Sequence, residues 1–177
     1  FSNAKAKFVE AAEVAKKYGN QEVTAEVESL LPTVGKRIAL AKVNDAMKTK
    51  DIAGVLAGYE EAMAIDTTDA NTALKYGQFL GNAGKFDDAV KYLELAARHG
   101  QEGNAKAVLS TTFLKKAAAQ LKAGKYADAV TFAEKAISYK ENAQAYLIAG
   151  QASQKANKNA DAIANFEKYL EAAPTAK

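Results

Sequence analysis

A break in helical patterning recurs along this chain at nearly constant spacing, and such a repeat constrains the fold more tightly than any single residue. Four segments carry it: Lys50-Asp51-Ile52 with Val55, Gly84-Lys85-Phe86 with Ala89, Gly124-Lys125-Tyr126 with Ala129, and Asn157-Lys158-Asn159 with Ala162. Successive breaks lie 34, 40 and 33 residues apart. Seven residues before each break stands Val43, Gly77, Ala117 or Gly150, and twelve residues after it Ala62, Ala96, Ala136 or Tyr169. Small side chains at these points let the two antiparallel helices of a hairpin approach closely, while Phe86, Tyr126, Tyr59, Leu93 and Phe166 fill the space beside them. The pattern predicts helix, short turn and helix, repeated along the chain.

Composition and caps agree with that reading. Alanine, the best helix former, supplies about 40 residues, roughly a fifth of the chain. The prolines are two, Pro32 and Pro174, and both are read as sitting where a helical pattern has already ended. Asp51, Asp69, Asp87 and Asn142 are placed to accept from the unpaired amides of helix starts. Gly19, Gly84, Gly100 and Gly124 stand where helices end and a left-handed residue is favoured. The 40-residue interval follows from the unbroken helical run Ala105 to Ala123, expected to exceed its counterparts by about one and a half turns.

With these residues in view, the sequence resembles the tetratricopeptide repeat family. Gly77, Gly84, Phe86, Ala89 and Ala96 match one unit of that family, and Tyr146, Gly150, Ala162, Phe166 and Pro174 match another. The aromatic usual early in the first helix is instead Ala39 and Ala73 in two units, and Tyr169 stands where alanine is usual. The resemblance implies an all-α fold: a right-handed superhelical solenoid of antiparallel helix pairs, about ten helices in all. It implies one repeat domain over 1–177, with a degenerate first hairpin at 1–35 (Phe8, Ala12, Tyr18, Gly19) and repeats at 36–69, 70–103, 104–142 and 143–177.

Several kinds of chemistry find no footing. The 24 basic and 21 acidic residues are interleaved, so the net charge of +3 describes a solvated surface and not the basic stripe of a nucleic-acid binder. No apolar run reaches the length of a membrane span. The absence of cysteine excludes disulfides and thiolate metal sites. Gly77 to Lys85 has the glycines of a phosphate loop, but position 86 is Phe where Ser or Thr is needed, and close packing explains the glycines. His99 is the single histidine, beside Gly100 at a helix end, and reads as an exposed terminal residue. Adjacent carboxylates such as Glu60-Glu61 and Asp87-Asp88 diverge around a helix. No enzyme activity, cofactor or metal is therefore expected. Phe1 opens no recognisable signal peptide, so the start is expected to be a processed or trimmed end, which leaves the compartment open.

Function is then expected on the concave face that the family lines with the first helix of each pair. By resemblance, its partner-facing positions are Arg37, Leu40, Asn44 and Met47, then Asn71, Leu74, Gln78 and Gly81. The next units give Thr111, Leu114, Ala118 and Leu121, then Gln144, Leu147, Gln151 and Gln154. Four leucines at one register with Asn44, Gln78 and Gln151 one turn on suit an extended or helical apolar segment of a protein partner, because amides pair with peptide backbone. The other reading, that the leucines are half-buried between first helices and touch no ligand, is equally open. Leucine also replaces the basic residues with which some family members clamp a chaperone's C-terminal carboxylate. Most aromatic residues read as core, with Tyr92, Tyr139 and Tyr146 as partly exposed candidates for a partner. The expectation is a scaffold or adaptor. The alternatives are a structural array that forms a homodimer through its end hairpins, or a non-catalytic appendage of a larger protein.

Overall fold

The computed structural model describes residues 2–173, so Phe1 and the expected repeat residue Pro174 lie outside the described residues. Nine α-helices are present among them: α1 (Ser2–Lys17), α2 (Gln21–Lys48), α3 (Ile52–Ile65), α4 (Ala70–Asn82) and α5 (Phe86–Ala96), followed by α6 (Glu102–Lys122), α7 (Tyr126–Tyr139), α8 (Ala143–Lys155) and α9 (Asn159–Ala172). There is no strand among the described residues. The count is nine where about ten were expected, and α2 holds the reason. It is one 28-residue helix with Pro32 in its interior, so Pro32 is not a terminator. Proline removes an amide and crowds the carbonyl four residues back, yet burial of Val27, Ile38, Ala39 and Val43 along the same helix outweighs that cost. The expected division at 35/36 falls inside α2, and Gly35 is a buried packing position where a Cβ would lie 3.2 Å from Cδ1 of Ile65.

The helix breaks share one local geometry. Lys50, Gly84, Gly124 and Asn157, the four residues that define the sequence repeat, have φ of 56°, 76°, 75° and 59°. Each closes its helix with the same pair of bonds, for example Gly84 N–H to Gly81 O and Lys85 N–H to Leu80 O at 2.9 Å, or Asn157 N–H to Gln154 O and Lys158 N–H to Ser153 O at 2.9 Å. This is the left-handed C-terminal motif that satisfies the last carbonyls of a helix. Gly19 makes the same turn after α1.

The starts divide into two kinds. Asp51, Asp69 and Asn142 accept from the backbone N–H of Gly54, of Asn71 and Thr72, and of Gln144. Asp87, expected at a helix start, sits one residue inside α5, whose cap is Lys85, and so acts through the helix dipole. Between α5 and α6, His99 (φ −104°) and Gly100 (φ +101°) form a kink. From there α6 runs 21 residues against 13 for α4 and α8, about two turns longer.

Packing divides the described residues into two compact units, one up to Thr72 and one from Ala73. In the first, α1 lies on α2 and α2 on α3. Gly58 sets the approach of α2 to α3, since a Cβ there would be 2.6 Å from Cγ2 of Val43 and 3.1 Å from the Ala39 carbonyl oxygen. In the second, α5 lies on α6, α6 on α7, α7 on α8 and α8 on α9. Its core is layered by alanine: Ala89, Ala96, Ala129, Ala133 and Ala136 are completely buried, with Leu80, Leu93 and Leu109 filling the larger gaps. The small positions found in sequence, Val43, Gly77, Ala117 and Gly150, are all buried. At Gly150 a Cβ would meet the Phe166 ring at 2.6 Å.

Candidate partner-binding face

The first helices of the second unit are α4, α6 and α8, and each turns one edge away from its own hairpin. On α4, Ala73, Tyr76, Gly77 and Leu80 face the core; Leu74 is half-buried at the edge and Gln78 is exposed one turn on. The same sequence of burial recurs in α6, where Leu114 is half-buried and Thr111 and Ala118 are exposed. It recurs again in α8, with Leu147 half-buried between exposed Gln144 and Gln151. In the first unit, α2 presents Leu40 half-buried among exposed Arg37, Asn44 and Met47. Asn71 and Gln144 are exposed in first turns, their backbone amides held by the caps Asp69 and Asn142 at 3.0 Å.

The structure brings Gln78 and Thr111 into one cleft. This cleft, about 220 Å³, lies between α4 and α6 and is lined also by Asn82, Ala107, Val108 and Lys115. Gly81, expected on the same face, lines this cleft at its narrowest side. It is buried, and a Cβ would stand 2.9 Å from Oγ1 of Thr112, so it is the point that lets α6 come close to α4. Sequence reasoning missed Asn82 and Lys115. Lys115 Nζ donates to Asn82 Oδ1 at 2.6 Å and makes no ion pair among the described residues. The missed signal was helical spacing: Asn82 lies four residues beyond Gln78 and Lys115 four beyond Thr111, hence on the same faces. The cleft therefore presents amide, hydroxyl and ammonium donors above a short apolar floor, with no carboxylate lining it.

The neighbouring lysine does something different. Lys116 bonds Asp87 Oδ1 at 2.5 Å and lies 4.2 Å from the centroid of Phe132, tying α5, α6 and α7 together. The candidate tyrosines serve packing in the same way. Tyr92 is 4.4 Å from the Tyr76 ring, Tyr139 stacks 5.7 Å from Phe113, and Tyr146 lies under Lys168. All three are half-buried.

Lys36, Asp66 and Asp69 of the first unit form a structural network that displaces their pKa values. Lys36 Nζ bonds Asp69 Oδ2 at 2.5 Å and Asp66 Oδ2 at 2.9 Å. Burial alone would raise the Asp69 carboxyl, but hydrogen bonds from Lys36 and from the hydroxyl and amide of Thr72 hold it at about 2. Hydrogen bonds from Lys36 and Thr68 likewise lower Asp66. For Lys36, burial opposes the charge and the two carboxylates more than offset it, so its pKa is raised. Each member is neutralised by the others, which fits a turn clamp and not a reacting group. His99 is exposed at the α5 end, as expected. Among the described residues no cluster of His, Asp and Glu is placed to hold a metal, and no helix is long and apolar enough to cross a membrane.

Antiparallel helix pairs with left-handed breaks, small crossing residues and alanine layers make this an all-α fold of the tetratricopeptide-like helical-repeat class. Solved structures of MamA share it. One matches with a TM-score of 0.53 at 16% identity over 97% of this chain and 92% of that one. MamA from Desulfovibrio magneticus RS-1, residues 41 to the end, matches with 0.52 at 17% identity over 79% and 76%. MamA MSR-1 gives 0.54 at 14% identity, with 95% of each chain covered. At these identities the likeness is one of fold. No family model and no curated protein sequence matches the chain.

Proposed function

We propose that the chain is a protein-interaction scaffold that holds an apolar, extended or helical segment of a partner along the first-helix edges of its second unit. The observation that carries the reading is the recurrence of one half-buried leucine per first helix, Leu74, Leu114 and Leu147, each with an exposed amide or hydroxyl side chain one turn away. A half-buried leucine still has apolar surface to give up, and one that is also braced by its own hairpin loses little side-chain entropy in doing so. Gln78, Thr111 and Lys115 supply donors in the α4–α6 cleft for backbone carbonyls of the segment. Leu40, with Arg37 and Asn44, offers the same chemistry on α2 of the first unit. The charges of Lys36, Asp66 and Asp69 offset one another as a turn clamp, so this reading assigns them no chemistry.

The test is selection of binding segments from a displayed peptide library, followed by rebinding to Leu74→Glu/Leu114→Glu and to Gln78→Ala/Gln151→Ala. The leucine variant is expected to lose rebinding at least about tenfold, and the amide variant, altered only at exposed positions, to weaken it severalfold while remaining fully helical. Apolar segments that bind both variants as well as the parent would remove this face from the account.

A further inference from the structure

Where two alternate helices lie on the helix between them, the groove left between the pair is filled differently from place to place. Between α5 and α7 it is plugged, since Lys116 of α6 bonds Asp87 and lies 4.2 Å from the centroid of Phe132. Between α7 and α9 it is a cleft of about 420 Å³ whose charges balance, Glu134 and Asp161 against Lys158 and Lys168. In the first unit α1 and α3 both lie on α2, and their groove is neither plugged nor balanced.

This groove holds about 510 Å³, the size of a site that takes a ligand or the side chains of a partner. Ala6 and Val9 of α1 and Ile38 of α2 supply its apolar surface; Val9 is 39% exposed and Ile38 is buried. Glu10 and Glu13 of α1 and Glu61 of α3 line it against one cation, Lys42 of α2. Lys42 is committed to Glu61, with Nζ 2.7 Å from Oε2. Lys16, three residues beyond Glu13 on the same helix, is committed to Glu28 at 2.6 Å. Glu10 and Glu13 are exposed and make no ion pair among the described residues. A chain of net charge +3 thus edges one apolar groove with two uncompensated carboxylates. Ala6, Val9, Glu10 and Glu13 follow the three- and four-residue steps of a single helical face, so this wall runs two turns, about 10 Å.

We infer that the α1–α3 groove receives a basic amphipathic helical segment of a partner protein. The apolar side chains of the segment cover Val9 and Ile38, and lysine or arginine one turn apart on its flank meets Glu10 and Glu13. An acidic or neutral segment would close over the same two carboxylates without pairing them. The groove shares no residue with the first-helix edges or the α4–α6 cleft, so the inference stands or falls independently of the proposed function.

The probe is a labelled amphipathic peptide of leucine and lysine, about 14 residues or four turns long, whose binding to the full chain is followed by fluorescence anisotropy. Two companions share its pattern, one with glutamate for lysine and one with serine for leucine. The leucine–lysine peptide is expected to bind at least about tenfold more tightly than either companion, and to weaken as salt is raised. Glu10→Gln/Glu13→Gln is expected to weaken it severalfold and to flatten the salt dependence. Glu22→Gln/Glu26→Gln makes the same charge change at exposed positions of α2 outside the groove and is expected to leave binding unchanged. Equal loss in both variants would trace the attraction to the charge of the whole molecule and overturn the inference. Equal binding of the glutamate peptide, or no binding of the leucine–lysine peptide, would overturn it too. A parent that sediments as a dimer and is dissociated by Glu10→Gln/Glu13→Gln would make a second copy the occupant, with the same consequence. If the double variant loses helicity, the single exchanges Glu10→Gln and Glu13→Gln take its place, with the same outcomes deciding.

Discussion

Gly77 sits where α4 crosses α5, and a Cβ there would lie 2.7 Å from Cγ and 2.9 Å from Cδ2 of Leu93, with the Ala89 carbonyl oxygen at 3.1 Å. Carbon pairs settle at about 3.5–4.0 Å, so one added methyl overlaps its neighbours by about 1 Å. Leu93 is completely buried and the other neighbour is backbone, so neither yields cheaply. Overpacking of this kind costs about 1–3 kcal/mol, while the Gly→Ala exchange returns about 0.5–1 kcal/mol of chain entropy. Gly77→Ala is therefore expected to destabilise by about 1–2 kcal/mol. Gly103, in the first turn of α6, has nothing within 4 Å of its virtual Cβ, and there the same exchange is expected to stabilise by about 0.4–1 kcal/mol. Thermal unfolding followed by far-UV circular dichroism should separate the two variants by about 4–8 °C. A second arm removes the obstacle. Leu93→Ala alone costs about 2–5 kcal/mol, but in that background Gly77→Ala has room and is expected to be neutral or favourable. If Gly77→Ala behaved like Gly103→Ala, or destabilised equally with and without Leu93, close helix approach would not be what the repeat's small residues secure.

Two further outcomes follow from the turns. The Asp69 carboxyl falls from an ordinary 3.8 to about 2, which is equivalent to roughly 2 kcal/mol. Because its pKa is depressed on folding, that stabilisation is present above about pH 4 and is lost as pH falls towards 2; acid titration of the parent against Asp69→Asn should show the parent's advantage vanishing across that window. Lys50 holds φ 56° and Asn157 φ 59° where Gly84 and Gly124 hold the same turn. Lys50→Gly is expected to raise stability by up to about 1 kcal/mol and Asn157→Gly by less, since asparagine tolerates the left-handed region better; a drop in melting temperature for Lys50→Gly would contradict this account of the breaks.

The features legible in the sequence are those whose cause is local. The breaks at residues 50, 84, 124 and 157 were readable because a left-handed residue, a closing pair of bonds and a small crossing residue recur at fixed offsets. Pro32 was misread for the same reason. A proline's local preference is to end a helix, and only the burial of Val27 on one side and Ile38, Ala39 and Val43 on the other holds α2 together through it. Gly81 shows the limit from another side: its register was right, but whether that register faces solvent or a neighbouring helix depends on how near α6 comes, and Thr112 closes the gap. The residues proposed to bind a segment fall between these cases. The sequence placed Gln78 and Thr111 on first-helix edges, but their meeting across one cleft, together with the Asn82–Lys115 bond, depends on the distance between two helices thirty residues apart in the chain. The apolar side chains exposed on α9 differ again, because nothing in the composition of Ile163 and Leu170 distinguishes them from Val130 and Ile137. What distinguishes them is that α8 packs on α7, whereas α9 has no helix after it among the described residues. One apolar register is half-buried in α7 and exposed in α9, so in a stacked repeat the exposure of a residue depends on which helix packs beside it as much as on its side chain.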